Sequence, residues 1–123
     1  MWHWLFIAFL VAHGLVHLAV WLSPVQAADV PFRPDRSWLL GAGHTAHCTS
    51  VALAVAAAAA FLAAAVALML GLAVWQPVTV AASVLGLTMS LLYFNPWLLA
   101  DVALNAGLLS GLLATEWPPS LAA

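Results

Sequence analysis

Two pairs of polar residues stand out in a chain that is otherwise almost wholly apolar. His13 and His17 are four residues apart, as are Asp101 and Asn105, so each pair falls on one face of a helix. An imidazole, a carboxylate and an amide can together bind a metal ion, hold a proton or recognise a polar ligand. Because ionisable side chains are costly inside lipid, they mark a candidate functional site wherever the segments carrying them cross a membrane.

A second histidine pair, His44 and His47, is followed directly by Cys48. If these residues meet His13 and His17, the nitrogen and sulfur donors suit zinc or copper. Haem fits less well, because its two axial ligands must approach from opposite sides and cannot come from one helical turn. Each pair also has a plainer interpretation. His13 and His17 can join helices by hydrogen bonds, and His44 and His47 can be solvated at the membrane interface.

The composition predicts where these residues sit. The chain has 123 residues, 67% hydrophobic and 5% charged, with a mean hydropathy of +1.12, whereas soluble domains carry about 25% charged residues. A spanning helix needs about 20 residues, so this length holds four spans, and nothing resembles the alternating strands of a barrel. We therefore expect an all-α integral membrane protein, a four-helix up-down transmembrane bundle forming one domain over residues 1–123.

The apolar runs and the breaks between them place the helices. The expected spans are residues of about 2–22, 48–72, 77–94 and 97–115. Between the first two lie a loop at 23–37 and an interfacial segment at 38–47. The first span also resembles a secretory signal peptide, but no cation precedes it, which favours a retained helix. Trp2, Trp4, Trp21 and Trp38 lie where an interfacial aromatic belt is expected.

The connections predict which polar residues meet. In an up-down bundle the 23–37 loop and the break near Asn95 lie on the same side of the membrane. The rise of about 1.5 Å per residue then puts His17 at the depth of Asp101, and His13 at the depth of Asn105. We expect the two pairs to face one another.

The few charges bear on orientation and partners. Both arginines, Arg33 and Arg36, lie in the loop, and the positive-inside rule places it in the cytoplasm with both termini outside. The net charge of −2 offers no basic surface for nucleic acid. The expected surroundings are a lipid bilayer that the chain crosses several times.

The fourth helix carries a stripe of small residues at Ala103, Gly107 and Gly111. This spacing allows close approach of another helix. At about 100° per residue the stripe lies roughly opposite Asp101 and Asn105, so it is a candidate face for a homo-oligomer or a larger membrane complex.

Two short blocks carry a resemblance to a known group. The run from Ala12 to Leu18 reads AHGLVHL, and the run from Pro34 to Gly41 reads PDRSWLLG. Both resemble blocks of small four-helix inner-membrane proteins of actinobacterial type, in which a histidine usually stands where this chain has Arg36. The resemblance implies four helices and a bacterial inner membrane, and it implies no substrate.

Three functions remain open from the sequence. The first is a small multi-pass membrane protein whose His/Asp/Asn site binds a metal, a proton or a small lipophilic ligand. The second is an accessory subunit whose polar residues only hold helices together, and the third is an oligomeric transporter or channel. The chain shows no nucleophile–base set, phosphate loop or paired carboxylates, so a conventional hydrolase or nucleotide enzyme is not expected.

Overall fold

The computed structural model describes residues 1–22 and 33–114, and this part of the chain is almost entirely helical. Its elements in chain order are α1 (Trp2–Trp21), β1 (Arg36–Ser37), β2 (Gly41–Ala42), α2 (His44–Met69), α3 (Trp75–Leu92), a short 3₁₀ turn (Pro96–Leu98) and α4 (Leu99–Ala114). All four helices are long and apolar enough to cross a membrane, if α4 is counted together with the 3₁₀ turn that precedes it. The four apolar helices expected from the sequence are therefore confirmed.

The largest difference from the expected boundaries concerns the segment 38–47. Here β1 pairs with β2 as a small antiparallel hairpin, and α2 already begins at His44 rather than at residue 48. Gly43 makes the abrupt change possible with a φ of 120°, a conformation that side chains rarely adopt. Its amide donates to the Asp35 carbonyl at 2.9 Å, which holds the hairpin against the helix start.

Smaller differences occur at the other helix ends. α2 ends at Met69 rather than 72, because Gly71 turns the chain with a φ of 68°. α3 begins at Trp75, two residues before Pro77. Proline is tolerated there because the first turn of a helix needs no amide donor. The predicted end of the fourth helix at 115 lies outside the described residues, as does most of the predicted loop, residues 23–32.

Helices that are neighbours in sequence make the main contacts, α1 with α2, α2 with α3 and α3 with α4. Gly14 brings α1 and α2 together. A Cβ added to Gly14 would lie 3.1 Å from the Phe61 Cβ and 3.3 Å from the Ala58 carbonyl oxygen. The close approach sets both α1 histidines against Phe61, with ring centroids 4.7 Å away for His13 and 5.6 Å for His17.

The hairpin closes the end of α3. The last carbonyls of a helix lack partners within the helix, and here two side chains supply them. Ser37 Oγ donates to the Leu92 carbonyl at 2.7 Å, and the Trp38 indole N–H donates to the Leu91 carbonyl at 2.6 Å. We call Ser37 and Trp38, with the two carbonyls, the hairpin cap. It explains what the serine and tryptophan of the second sequence block do in the fold.

One tryptophan lies elsewhere than its sequence position indicates. Trp2, Trp4 and Trp38 are exposed, as expected of an interfacial belt. Trp21 is only 2% exposed, and its ring packs edge-on against Tyr93 with centroids 5.3 Å apart. Trp21 is therefore a core residue at the end of α1. Its position near a helix end did not reveal which way the ring faces.

Candidate functional site

Three helices build the site that the polar pairs predict. α1 supplies His13 and His17, α4 supplies Asp101 and Asn105, and α3 forms the floor. His17 and Asn105 are buried to 1% and 0% exposure, and His13 is buried as well. Asp101 is partly buried. Polar side chains at such sites are normally held by hydrogen-bond partners.

The structure brings the two pairs together as their spacing predicts. His17 Nε2 lies 3.7 Å from Asp101 Oδ1, and His13 Nε2 lies 3.4 Å from Asn105 Oδ1. One further contact was not foreseen, because His13 Nε2 also lies 3.7 Å from the same Asp101 oxygen. One ligand atom from each of His13, His17 and Asp101 lies within 4.8 Å of the other two.

The backbone determines which nitrogen of His17 carries its proton. His17 Nδ1 lies 2.8 Å from the His13 carbonyl oxygen, and a carbonyl only accepts, so Nδ1 is the donor. In the neutral ring, Nε2 therefore presents its lone pair. This nitrogen is buried and has no hydrogen-bond partner in the described part of the chain. It faces a carboxylate oxygen, which is also an acceptor.

The carboxylate and the amide are held from behind. The Ser90 hydroxyl of α3 donates to Asp101 Oδ2, which leaves Oδ1 turned toward the histidines. Asn105 Nδ2 donates to the Asp101 carbonyl at 2.9 Å, so its Oδ1 is the atom that His13 meets. These bonds orient the two α4 side chains without using the atoms that face α1.

Gly86 of α3 is a site residue that sequence reasoning missed. A Cβ at this position would lie 2.8 Å from Asn105 Oδ1 and 2.9 Å from His17 Nε2, closer than side-chain carbons approach. The absence of a side chain thus makes the room in which the polar atoms meet. A signal existed in the sequence, because Ser83, Gly86 and Ser90 are small residues three and four positions apart, hence on one face of α3.

A cleft between α1 and α4 opens onto the site. Its volume is about 430 Å³, within the range of small-molecule sites. His13, His17 and Asp101 line it, and the rest of its wall is apolar. The apolar wall includes Phe9, Val16, Trp97, Leu98 and Leu104. The three possible ligands therefore lie at the wall of one cleft in the side of the helix bundle.

His44 and His47 do not join this site. In the residues that the structure describes, the one cluster of three or more histidine, cysteine or acidic ligands is that of His13, His17 and Asp101. His44 is exposed in the first turn of α2, where its Nε2 lies 3.4 Å from Cys48 Sγ. The third ligand of the candidate metal centre is thus Asp101, and the expected set of four histidines is not assembled.

The small-residue stripe of α4 borders the same cleft. Ala103, Gly107 and Gly111 line a second cavity of about 430 Å³ together with α1 residues. The two cavities share Phe9 and Leu104 as wall residues, so they are consecutive stretches along the α1–α4 seam. The stripe therefore lies beside the site along one seam, although its helical angle alone places it roughly opposite Asp101.

No family model, curated protein or solved structure matches this chain. The resemblance in the two short sequence blocks stays a prediction. Function is therefore inferred from the geometry of the site itself.

Proposed function

We propose that the protein crosses a membrane four times as an up-down bundle and binds one divalent transition-metal ion, zinc or copper, through His13 Nε2, His17 Nε2 and Asp101 Oδ1. The observation that carries the proposal is the buried lone pair of His17 Nε2, aimed at a carboxylate oxygen 3.7 Å away. A buried acceptor left without a partner lowers the stability of the fold by about 1–3 kcal/mol. The two facing acceptors, His17 Nε2 and Asp101 Oδ1, also repel each other. A cation between them removes both costs.

The distances favour a metal ion over a shared proton. An imidazolium donating to a carboxylate brings nitrogen and oxygen to about 2.7–2.9 Å. Two tetrahedral ligands, each about 2.1 Å from zinc, are about 3.4 Å apart. Both histidine nitrogens lie 3.7 Å from Asp101 Oδ1, nearer to the second spacing. Two ligand atoms of one ion can be at most about 4.2 Å apart, twice the metal–ligand distance. The three ligand atoms lie within 4.8 Å of one another, so the widest pair needs to approach by no more than about 0.6 Å.

The surroundings of the three ligands match those of metal centres. A ligating histidine usually donates its other ring N–H to a carbonyl or carboxylate, as His17 does to the His13 carbonyl. Ser90 holds the outer oxygen of Asp101 in the same manner. Two imidazoles and one carboxylate leave a fourth position open, which is the arrangement of zinc sites that act on a further ligand.

The membrane placement rests on the helices and the charges. Four helices have the length and hydropathy of spans, and packing between sequence neighbours fits an up-down order. Arg33 and Arg36 lie between α1 and α2, which favours a cytoplasmic position for that loop. The choice of a bacterial inner membrane rests on the resemblance of the two sequence blocks.

The test is metal content. Protein purified in detergent is stripped with a chelator, incubated with zinc or copper, desalted and analysed by mass spectrometry of the metal. We expect one ion per chain, and more than about 100-fold weaker binding in His17→Ala. His44→Ala is the matched control, since His44 is an exposed histidine outside the site. Failure of the wild type to retain either metal, or equal losses in both variants, would refute the proposal.

A second candidate function is an accessory subunit in which the polar residues only join helices. The hydrogen bond between His13 and Asn105 favours it, because it links α1 to α4 without any ligand. Within α4, the bond from Asn105 to the Asp101 carbonyl holds the amide in place. In that case metal-loaded and metal-free protein unfold at the same temperature, and gentle extraction recovers a membrane partner.

A further inference from the structure

Charge is the starting point for a ligand of the proposed metal centre. The two histidines that ligate are neutral, so a divalent ion balanced by Asp101 alone leaves one positive charge. A net charge at the depth of a spanning helix is costly. The fourth ligand therefore stabilises the site most if it carries one negative charge on an oxygen atom.

The route to the fourth position is apolar and long. Apart from His13, His17 and Asp101, the cleft is lined by apolar side chains. It continues into the second cavity beside Gly107 and Gly111. From Asp101 to Gly111 the seam follows α4 for about 15 Å. A molecule lying along it meets polar atoms at one end only.

We propose that the α1–α4 cleft binds a single-chain lipid carboxylate, with its head on the metal ion and its tail along α4 toward Gly111. The inference rests on the proposed function, because the carboxylate takes the coordination position that the three protein ligands leave open. The head neutralises the centre, and the tail covers apolar walls that face the membrane.

The small residues of α4 have a role in this arrangement. A Cβ added to Gly107 would meet no atom within 4 Å, so no neighbouring helix requires the glycine for close packing in the described structure. Without a side chain, Gly107 leaves the groove open where the lipid tail would pass. This argument applies to Ala103 in part, since it lines the same cavity.

The experiment uses a photoactivatable palmitic acid carrying a diazirine in its tail, and the methyl ester of the same molecule as the neutral probe. The full chain in lipid nanodiscs is loaded with zinc, irradiated with either probe and digested, and labelled residues are found by mass spectrometry. We expect the acid to label cleft residues of α1 and α4. The ester should label the same residues at least about tenfold less, because it lacks the contact between a charged carboxylate and the metal ion.

Three variations sharpen the measurement. Removing zinc from the wild type should reduce acid labelling to the level of the ester. Gly107→Phe should reduce labelling while zinc stays bound, because the ring fills the groove without touching the ligands. Ala56→Phe is the matched control on the exposed side of α2 and should change neither quantity.

Zinc content is measured before lipid is added, so the two proposals fail separately. Bound zinc with equal labelling by acid and ester overturns the lipid inference and leaves the metal site standing. Acid-selective labelling that persists after zinc removal overturns coordination of the carboxylate. A wild-type dimer that Gly107→Phe dissociates, with acid and ester labelling equally, assigns the groove to a second copy of the chain and also overturns the inference.

Discussion

The hairpin cap and the site between α1 and α4 are both small polar clusters joining distant parts of the chain, yet they differ in how completely their atoms are paired. In the cap, Ser37 Oγ donates to the Leu92 carbonyl and accepts from the amides of Leu39 and Leu40. The Trp38 N–H is paired as well. In the site, His17 Nε2 has no hydrogen-bond partner among the described residues, although it is almost wholly buried.

The difference separates a structural cluster from a binding one. A cluster whose donors and acceptors are matched stabilises the fold and needs nothing else. A cluster that buries a lone pair against a carboxylate is unfavourable by itself, and it persists because the surrounding helices hold it. If this contrast is right, changes in the cap alter stability alone, and changes in the site alter binding more than stability.

The largest expected effect is on metal affinity in Asp101→Asn. The amide keeps the shape of the carboxylate and still accepts from Ser90, but it loses the charge and is a poor ligand for zinc. We expect binding to weaken more than about 100-fold, measured by competition with a chromophoric chelator. Asp35→Asn, in the exposed hairpin segment, is the control. Unchanged affinity in Asp101→Asn would remove the contrast between the two clusters.

The next effect is expected in Gly86→Ala. The added methyl group meets Asn105 and His17 at 2.8–2.9 Å, and such overpacking costs about 1–3 kcal/mol. Alanine is otherwise the better helix former by about 1 kcal/mol. A lower free energy of unfolding in the variant would therefore show that crowding outweighs the gain in helix propensity. Chemical denaturation in detergent measures it. Gly107→Ala, whose methyl group meets nothing, should be neutral or stabilising, and equal behaviour of the two variants would contradict the crowding at Gly86.

A smaller effect, on stability alone, is expected in Ser37→Ala. The change leaves the Leu92 carbonyl and two amides without this partner, which costs about 1–2 kcal/mol for a lost cap. Metal content should not change, because the hairpin cap lies outside the site. Loss of metal in Ser37→Ala at full stability would show that the cap also serves the site.

The smallest effect is a pH dependence of the hairpin. Arg33 donates two hydrogen bonds of 2.9 Å to the Asp35 carboxylate, and these hold the pKa of Asp35 below its ordinary value of 3.8. A lowered folded-state pKa contributes stability above pH 3.8, and the contribution is lost as the pH falls through the folded-state pKa. Because the pair is exposed, the loss is small.

Thermal unfolding between pH 6 and 2, compared with Asp35→Asn, measures this contribution. The wild type should unfold at a higher temperature than Asp35→Asn, and this difference should disappear only below the ordinary pKa of Asp35. An advantage that disappears near pH 6 would instead indicate titration of a histidine.

The candidate site could be predicted to an unusual extent because helix geometry is regular. Residues four apart share a face, and the connections between helices set their relative depth, so the meeting of His17 with Asp101 followed from spacing. The meeting of His13 with Asn105 followed as well, but the additional contact of His13 with Asp101 did not. It depends on rotations of α1 and α4 about their axes, which hydropathy alone does not specify when helices are apolar all round.

What the sequence alone determined is the number of long apolar helices and the faces that carry the histidines and the aspartate. Both are local properties of periodicity and length. Only the tertiary structure decided that Gly86 makes room for the site, that His44 and His47 lie apart from it, and that α1 and α4 leave a cleft. Those features depend on how side chains of different helices pack against each other. Packing there is so close that one added Cβ atom would push neighbouring helices or side chains apart.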